Sequence, residues 1–197
     1  MNSVTCDLTM SLDGFIAGPN QSLANPLGEG GERLHRWRFE EPGANAAAIE
    51  SILAPAAFIM GRNMFGPGRE AWDEEWAGRW GEEPPYHARL FVLTHHPCRP
   101  LKMLGGTTFT FVTEGIGSAL AQAREAADGK DVGIVGGAET VRQYLSAGLI
   151  GELRLQLAPV ILGGGERLLD SVPDLTLEPM DVSGTRLVTH LSYRVIH

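Results

Sequence analysis

The sequence predicts an α/β fold of three layers, with helices on both faces of a mixed, mostly parallel sheet. Short apolar segments of strand length alternate with helical patterns through the first three quarters of the chain. A run of strand patterns closes the chain, and the last two flank a turn at 183–185, which predicts an antiparallel hairpin. The chain has 197 residues, enough for one well-filled domain, so we expect residues 1–197 to form a single domain.

The composition excludes several classes of function. The hydrophobic share of 43% and the charged share of 20% are ordinary for a globular protein. A net charge of −8 argues against nucleic acid or an anionic membrane surface as the main partner. No apolar run approaches the roughly 18 residues of a membrane span. The 2 cysteines are far apart in the chain and form no CxxC motif. We therefore expect a cytoplasmic protein.

The first predicted strand, residues 3–11, alternates between an apolar face with Val4, Cys6 and Leu8 and a polar face. It ends near Asp13 and Gly14, a pair typical of turns. The apolar residues 15–17 then follow within a long loop that continues to residue 31. Apolar residues in a loop are either packed into the core or exposed to a flat ligand, and long loops are usually functional or mobile.

The middle of the chain contains the remaining parallel elements and one unusual segment. We expect a short helix over 32–39, a helix capped by Asn45, and a helix capped by Thr113. Predicted strands cover 56–60, 90–94 and 108–112. The segment 67–89 is acidic and rich in tryptophan. It is either a solvated insertion whose tryptophans fold back on the body, or a wall over a substrate with a stacking surface.

A glycine turn after the strand 132–135 organises the chain. Gly136 and Gly137 are followed at once by a helical pattern with Val141, Tyr144 and Leu145 on one face. A sharp strand-to-helix turn leaves the first helical N–H groups unpaired, and glycines allow a ligand to approach them closely. Because a helix N-terminus favours phosphate, this turn is a candidate cradle for the diphosphate of a nucleotide cofactor. The alternative is an ordinary tight turn.

Four predicted strands end in glycine or polar residues, at Gly14, Gly61, Thr94 and Gly136. In an open α/β sheet, ligands bind beyond the carboxyl ends of the parallel strands. Arginine and histidine at two of these ends suit phosphate. The histidine pair 95–96 has no third ligand at a telling spacing, so we expect no metal. Four such ends at one edge favour a long cofactor.

Five motifs carry a family resemblance. They are Ser11–Ala17, Met60–Phe65, Val92–His95, Ile134–Thr140 and Leu157–Gly165. In this order and spacing the chain resembles the dihydrofolate reductase-like superfamily. It is more similar to the reductase domain of bacterial riboflavin biosynthesis and its stand-alone relatives than to folate reductases. The resemblance covers nearly the whole chain.

The resemblance implies NADPH as the cofactor and hydride transfer to a C=N or C=O bond. The implied substrate is a small heterocycle, pterin- or pyrimidine-like. Arg62 with His95 would recognise a 2′-phosphate, because a planar guanidinium suits phosphate oxygens. The residues implied to contact the cofactor are Ile16, Ala17, Gly61, Arg62, Asn63, Met64, Thr94, His95, Val135, Gly136, Gly137, Ala138, Glu139 and Thr140.

The substrate side departs from folate reductases, which carry a carboxylate on the helix after the first loop. Arg33 stands at that position here, and Glu32 lies about 100° around a helix from it. No catalytic residue is therefore assigned. The candidates are Asp13, as a loop organiser or a chemical group, His35, as a proton donor or a packing residue, and Gln156, as a substrate contact. Trp37 is also predicted on the substrate side, and residues 163–165 either admit a substrate phosphate or turn the chain.

Two other functions remain open from the sequence. One is a non-catalytic NADP(H)-binding protein that kept the cofactor groove. The other is the riboflavin-pathway 5-amino-6-ribosylaminouracil phosphate reductase, acting without a deaminase domain. Because relatives with the segment 159–165 commonly pair, the resemblance also implies a homodimer.

Overall fold

The computed structural model describes residues 3–66 and 76–196, which form eleven strands, five α-helices and two short 3-10 helices. The strands are β1 (Val4–Ser11), β2 (Phe15–Ala17), β3 (Ala57–Gly61), β4 (Arg89–Leu93), β5 (Leu101–Lys102), β6 (Thr108–Val112), β7 (Val132–Ile134), β8 (Glu152–Ala158), β9 (Glu166–Arg167), β10 (Thr176–Gly184) and β11 (Thr189–Ile196). The α-helices are α1 (Arg36–Glu40), α2 (Ala46–Leu53), α3 (Arg62–Phe65), α4 (Gly115–Ala127) and α5 (Ala138–Ser146). The 3-10 helices are Gly31–His35 and Leu104–Gly106.

Nine of these strands form one mixed sheet, in the order β10-β11-β8-β1-β7-β3-β4-β6-β5. The six central strands, from β8 to β6, are parallel to their neighbours. The strand β11 joins β8 antiparallel, and β10 pairs antiparallel with β11. The predicted mixed sheet and its closing hairpin are therefore present, and β2 and β9 form a separate two-stranded ribbon.

One face of the sheet packs against α4 and α5 as the larger core. The apolar side of β1 contributes Cys6 and Leu8, while α5 contributes Val141, Tyr144 and Leu145. These helix residues have the spacing that the sequence predicted for one face of a helix. The Tyr144 hydroxyl donates to the Ile116 carbonyl at 2.8 Å. The packing of α4 and α5 on this face holds α5 against the central strands.

The opposite face carries a second core of aromatic and aliphatic side chains. Phe58 and Met60 of β3 are fully buried there, with Phe109 of β6. Trp80 stacks on Phe109 with 5.8 Å between ring centroids, and its edge meets Tyr86 at 5.7 Å. The described part of the acidic segment, residues 76–89, therefore folds back on the body. Residues 67–75, which include Trp72, lie outside the described residues.

Three local expectations differ from the structure. Residues 15–17 form the strand β2, since pairing with β9 satisfies their backbone. Asn45 precedes α2 but makes no cap bond, because its amide donates to the Glu41 carbonyl at 2.8 Å and its oxygen lies 2.9 Å from His190 Nε2. Thr113 does not cap α4 either, since its hydroxyl donates to Glu114.

Candidate active site

A large cavity runs along the carboxyl ends of the parallel strands. Its volume is about 1180 Å³, which is generous for a single small ligand. Three of the four predicted strand ends line it, at Gly61, Thr94 and Gly136, whereas Gly14 does not. The parallel sheet brings these ends to one edge because each strand is followed by a crossover to the next.

The glycine turn between β7 and α5 forms the centre of the cavity wall. Gly136 has a positive φ of 123°, a conformation that L-residues avoid. Gly137 precedes α5, and no side chain caps this helix end. A Cβ built on Gly137 would have no neighbour within 4 Å, so the space in front of the helix N-terminus is open. The turn therefore presents unpaired N–H groups to the cavity.

Gly61 brings a second strand end against this turn. Its N–H donates to the Gly136 carbonyl at 2.7 Å. A Cβ at residue 61 would collide with the hydroxyl of Thr140 on α5. The absence of a side chain at Gly61 therefore lets β3 and the first turn of α5 approach closely, and both line the cavity.

The residues predicted to recognise phosphate lie around the same cavity. Arg62, Asn63 and Met64 follow Gly61 and line it, and His95 lines it beyond β4. Burial lowers the pKa of Arg62, but a guanidinium keeps its charge at any physiological pH. The Thr94 hydroxyl accepts the His96 N–H at 3.1 Å, so it shapes the turn at this strand end.

The ribbon of β2 and β9 supplies another part of the wall, through Ile16 and Ala17. The Arg167 guanidinium lies 4.6 Å from the centroid of the Phe15 ring. A Cβ at Gly165 would collide with the Ala17 carbonyl. Close backbone packing therefore holds the predicted apolar loop segment as a strand beside the cavity.

Asp13 organises this loop and does not line the cavity. Its carboxylate accepts the N–H groups of Gly163 at 2.7 Å and Leu162 at 3.1 Å. Hydrogen bonds from the Ser11 hydroxyl and from these N–H groups lower the pKa of Asp13 to about 2. The N–H of Gly163, the first of the three glycines at 163–165, thus binds the Asp13 carboxylate of the chain itself. These glycines therefore form a turn of the chain.

Two of the predicted substrate-side residues line the cavity and one does not. Gln156 and His35 are part of its wall. Burial, with the nearby charges of Arg38 and Arg79, lowers the pKa of His35 to about 4, so at pH 7 its imidazole is neutral and carries a single ring N–H. The placement of Trp37 was wrong: its ring is fully buried, edge-on to His190 at 5.3 Å, because the short helices before α2 turn it toward β11.

Asp7, Thr9, Arg38 and Arg79 line the cavity although they were not predicted as site residues. Asp7 and Thr9 of β1 lie beside Arg154 and Gln156 of β8 in the sheet register. The alternation of β1 predicted their common face, but nothing in the sequence indicated that this face lines a cavity. Trp80 and Tyr86 also line it, and they belong to the segment 67–89 for which a wall over a substrate was one of the two interpretations. Arg79 donates to the Met64 carbonyl, which ties the described part of the acidic segment to α3.

Asp7 has the most perturbed carboxyl in the cavity wall. Its side chain is buried, with 6% of the residue exposed. Burial raises the pKa of Asp7 to about 7, against the lowering effect of Arg154, whose Nη1 lies 3.7 Å from Oδ2. Glu152 raises this pKa further and a hydrogen bond from Gln156 lowers it. A carboxyl in this state exchanges a proton near neutral pH.

No group of three or more His, Cys, Asp or Glu that could hold a metal ion occurs within residues 3–66 and 76–196. Over the same ranges, no helix is long and apolar enough to cross a bilayer.

The sheet order, the closing antiparallel hairpin and the cavity at the strand ends define the class of dihydrofolate reductase-like folds. The predicted fold class is thereby confirmed by likeness to solved structures. Residues 2–190 match the family model described as the RibD C-terminal domain, so the chain belongs to that family. The predicted resemblance to the riboflavin-reductase type is confirmed as well. Membership of this family makes the chain an oxidoreductase.

Individual proteins are similar to this chain in sequence or in structure. The uncharacterised protein YyaP of Bacillus subtilis (strain 168) is 41% identical over 174 residues, which cover 86% of this chain and 81% of that protein. A riboflavin biosynthesis protein of Shewanella sp. PV-4 has a similar structure, with a TM-score of 0.72, 19% identity and 99% of each chain covered. The riboflavin biosynthesis reductase of Saccharomyces cerevisiae follows with a TM-score of 0.57, 13% identity and coverage of 100% of this chain and 89% of that one.

Proposed function

We propose that this protein is an NADPH-dependent reductase that transfers a hydride to a C=N or C=O bond of a small pterin- or pyrimidine-like heterocycle. The observation that carries the proposal is the uncapped N-terminus of α5, open at Gly137, within a cavity that continues to the polar side chain of Gln156. One end of this cavity suits a diphosphate and the other suits a flat polar ring.

The residues present fit NADPH. The open N–H groups after Gly137 would hold the diphosphate, and Arg62 with His95 would recognise the 2′-phosphate. Ile16 and Ala17 offer an apolar surface for the nicotinamide, which supplies the hydride when the cofactor is bound. The chain's own contribution is to position the two rings and to exclude water between them.

Tryptophan fluorescence tests the cofactor site, since Trp80 lines the cavity. We expect NADPH to bind more tightly than NADH. Arg62→Ala should weaken NADPH binding by about tenfold or more, because a hydrogen bond to a charged group contributes roughly 1.5–3 kcal/mol. Arg124→Ala, on the exposed side of α4, is the matched control. Failure of both nucleotides to bind would refute the proposal for function while leaving the fold assignment intact.

A narrower form of the proposal assigns the substrate as the riboflavin-pathway 5-amino-6-ribosylaminouracil phosphate. Family membership supports it, and the guanidinium groups of Arg38 and Arg79 in the cavity wall suit an anionic group. Growth of a riboflavin auxotroph that lacks this reductase would support the assignment, and clean failure of an expressed, folded protein would remove it. Tight NADPH binding without turnover across a panel of heterocycles would favour the non-catalytic alternative.

We also propose that the protein is a cytoplasmic homodimer joined along β10. This strand lies at the edge of the sheet and is exposed over its whole length. Leu177, Met180 and Val182 on it are exposed apolar residues. An unpaired edge strand with apolar side chains pairs readily with another chain. A second copy of this chain would satisfy both the backbone and the apolar surface.

A further inference from the structure

The cavity wall contains two buried acceptors that the protein leaves unpaired. Asp7 and Gln156 line the cavity and are only 6% and 4% exposed. Neither Oδ1 of Asp7 nor Oε1 of Gln156 has a hydrogen-bond partner in the described chain. A buried acceptor without a donor is destabilising, and nearly all such groups in folded proteins are satisfied. The two oxygens therefore indicate a place for donors from a ligand.

The sheet puts these two side chains on one face. Asp7 is in register with Arg154, and Thr9 with Gln156, on the neighbouring parallel strands β1 and β8. Aligned residues of parallel strands project to the same face, whereas the alternate residues Leu8 and Leu155 enter the large core. Asp7 and Gln156 are thus held by rigid strands, not by loops. Such strands present a flat polar wall.

The positive charge near Asp7 is shared with other groups and does not fully balance the charge of its carboxylate. Arg154 is the nearest cation, at 3.7 Å, but its guanidinium binds Glu152 at 2.6 Å and the Ser51 hydroxyl at 2.7 Å. Asp131 also attracts Arg154. On β11, His190 and Arg194 lie on this face, and they are paired with Asn45 and Glu178 respectively. Besides Asp7, the titratable residues that line the cavity are Glu32, His35, Arg38, Arg62, Arg79, Tyr86, His95, His96, Glu139, Arg142 and Glu166.

We propose that Asp7, with Gln156 beside it, holds the substrate by the nitrogen-bearing edge of its ring and transfers a proton to the ring nitrogen. The proposal rests on the function proposed above and assigns its substrate class as a basic heterocycle with an amino or N–H group next to a ring nitrogen. In this transfer the O–H bond of the Asp7 carboxyl breaks and an N–H bond forms. The electron pair of that O–H bond stays on the carboxylate, facing Arg154.

This assignment explains how the site operates without a carboxylate on the helix after the first loop. Arg33 stands there and does not line the cavity, and Asp7 provides an acid from the first strand in its place. A protonated ring attracts a hydride more strongly than a neutral one, because the positive charge stabilises the electron pair that arrives. Gln156 adds an amide that both donates and accepts, which sets the orientation of the ring.

The test uses the full chain and 2,4-diaminopyrimidine as the probe, since this flat ring has a basic nitrogen next to an amino group. Protein labelled with ¹³C at aspartate carboxyls gives a signal for Asp7, assigned by its loss in Asp7→Asn. On adding the probe to the wild type, we expect that signal to move to the carboxylate position and the absorption of the probe to become that of its protonated form. Asp7→Asn should weaken probe binding by about tenfold or more. Asp174→Asn, an exposed carboxyl outside the cavity, is the control.

The outcomes separate this inference from the proposed function. An Asp7 signal that ignores the probe overturns the inference, as does a wild type that fails to bind the probe or equal affinity in Asp7→Asn. If Asp7→Asn does not fold, Asp7→Glu, which also removes the labelled aspartate carboxyl, supplies the assignment, and the carboxyl signal of the wild type decides. NADPH is titrated in the same samples. Loss of NADPH binding by the wild type, with a responding Asp7 signal, would refute the NADPH-dependent reductase and retain Asp7 as the recognition group.

Discussion

Replacing Asp7 by asparagine should remove a pH-dependent instability from the core. The folded protein keeps the Asp7 proton up to a pKa of about 7, whereas the ordinary value is 3.8. Between these values the folded state binds more protons than the unfolded state, so the free energy of unfolding of the wild type falls as the pH rises. The isosteric, uncharged Asp7→Asn has no such proton to lose.

The magnitude follows from the two pKa values. One pH unit corresponds to about 1.4 kcal/mol for one proton. Over roughly three pH units the instability reaches about 4 kcal/mol, a large fraction of the 5–15 kcal/mol that typically stabilises a domain. We therefore expect Asp7→Asn to gain stability relative to the wild type from pH 4 to pH 7, and the difference to stay constant above about pH 7.

Urea unfolding at a series of pH values between 5 and 8, followed by circular dichroism without added nucleotide, measures this difference. The exposed Asp174→Asn should track the wild type throughout. Arg154 keeps its partner Glu152 in Asp7→Asn, so the variant does not leave an isolated buried cation. A stability difference that is the same at pH 5 and pH 8 would refute the burial argument for Asp7.

Two further predictions address the glycine turn and the proposed dimer. Gly61→Ala should destabilise the fold by about 1–3 kcal/mol and weaken NADPH binding, because its Cβ collides with the Thr140 hydroxyl. The control is Gly117→Ala on α4, where a Cβ meets nothing within 4 Å, and this change should stabilise the fold by roughly 0.5–1 kcal/mol. If both variants change the free energy of unfolding by similar amounts in chemical denaturation, the close packing of Gly61 on Thr140 is not what makes Gly61 necessary. Val182→Lys, at a residue 64% exposed on β10, should shift the protein from dimer to monomer in sedimentation velocity, and an unchanged sedimentation coefficient would argue against β10 as the interface.

Much of the fold was predictable because it depends on local patterns. The alternation in β1 and the 3.6-residue spacing in α5 follow from which side chains must be buried. The glycine turn was located for the same reason, since the strand and helix patterns meet at Gly136 and Gly137. The caps at Asn45 and Thr113 were wrong because their side chains found other partners, the Glu41 carbonyl and Glu114 respectively.

The candidate site was predictable in part. The proposed cofactor residues are adjacent in sequence to strand ends, and the parallel sheet gathers those ends at one edge. Trp37 was misplaced because the direction of a side chain on a short helix depends on how that helix docks. Asp7 was not predicted as a site residue because a polar residue on a strand face is ordinarily exposed to solvent.

The sequence by itself determined the fold class, the family and the position of the glycine turn. Each of these depends on residue order, spacing or backbone preference. Only the tertiary structure decided that Asp7 and Gln156 share a wall and that Trp37 does not belong to it. The register of β1 on β8 joins residues far apart in the chain, and the burial that raises the pKa of Asp7 exists only when helices cover that face.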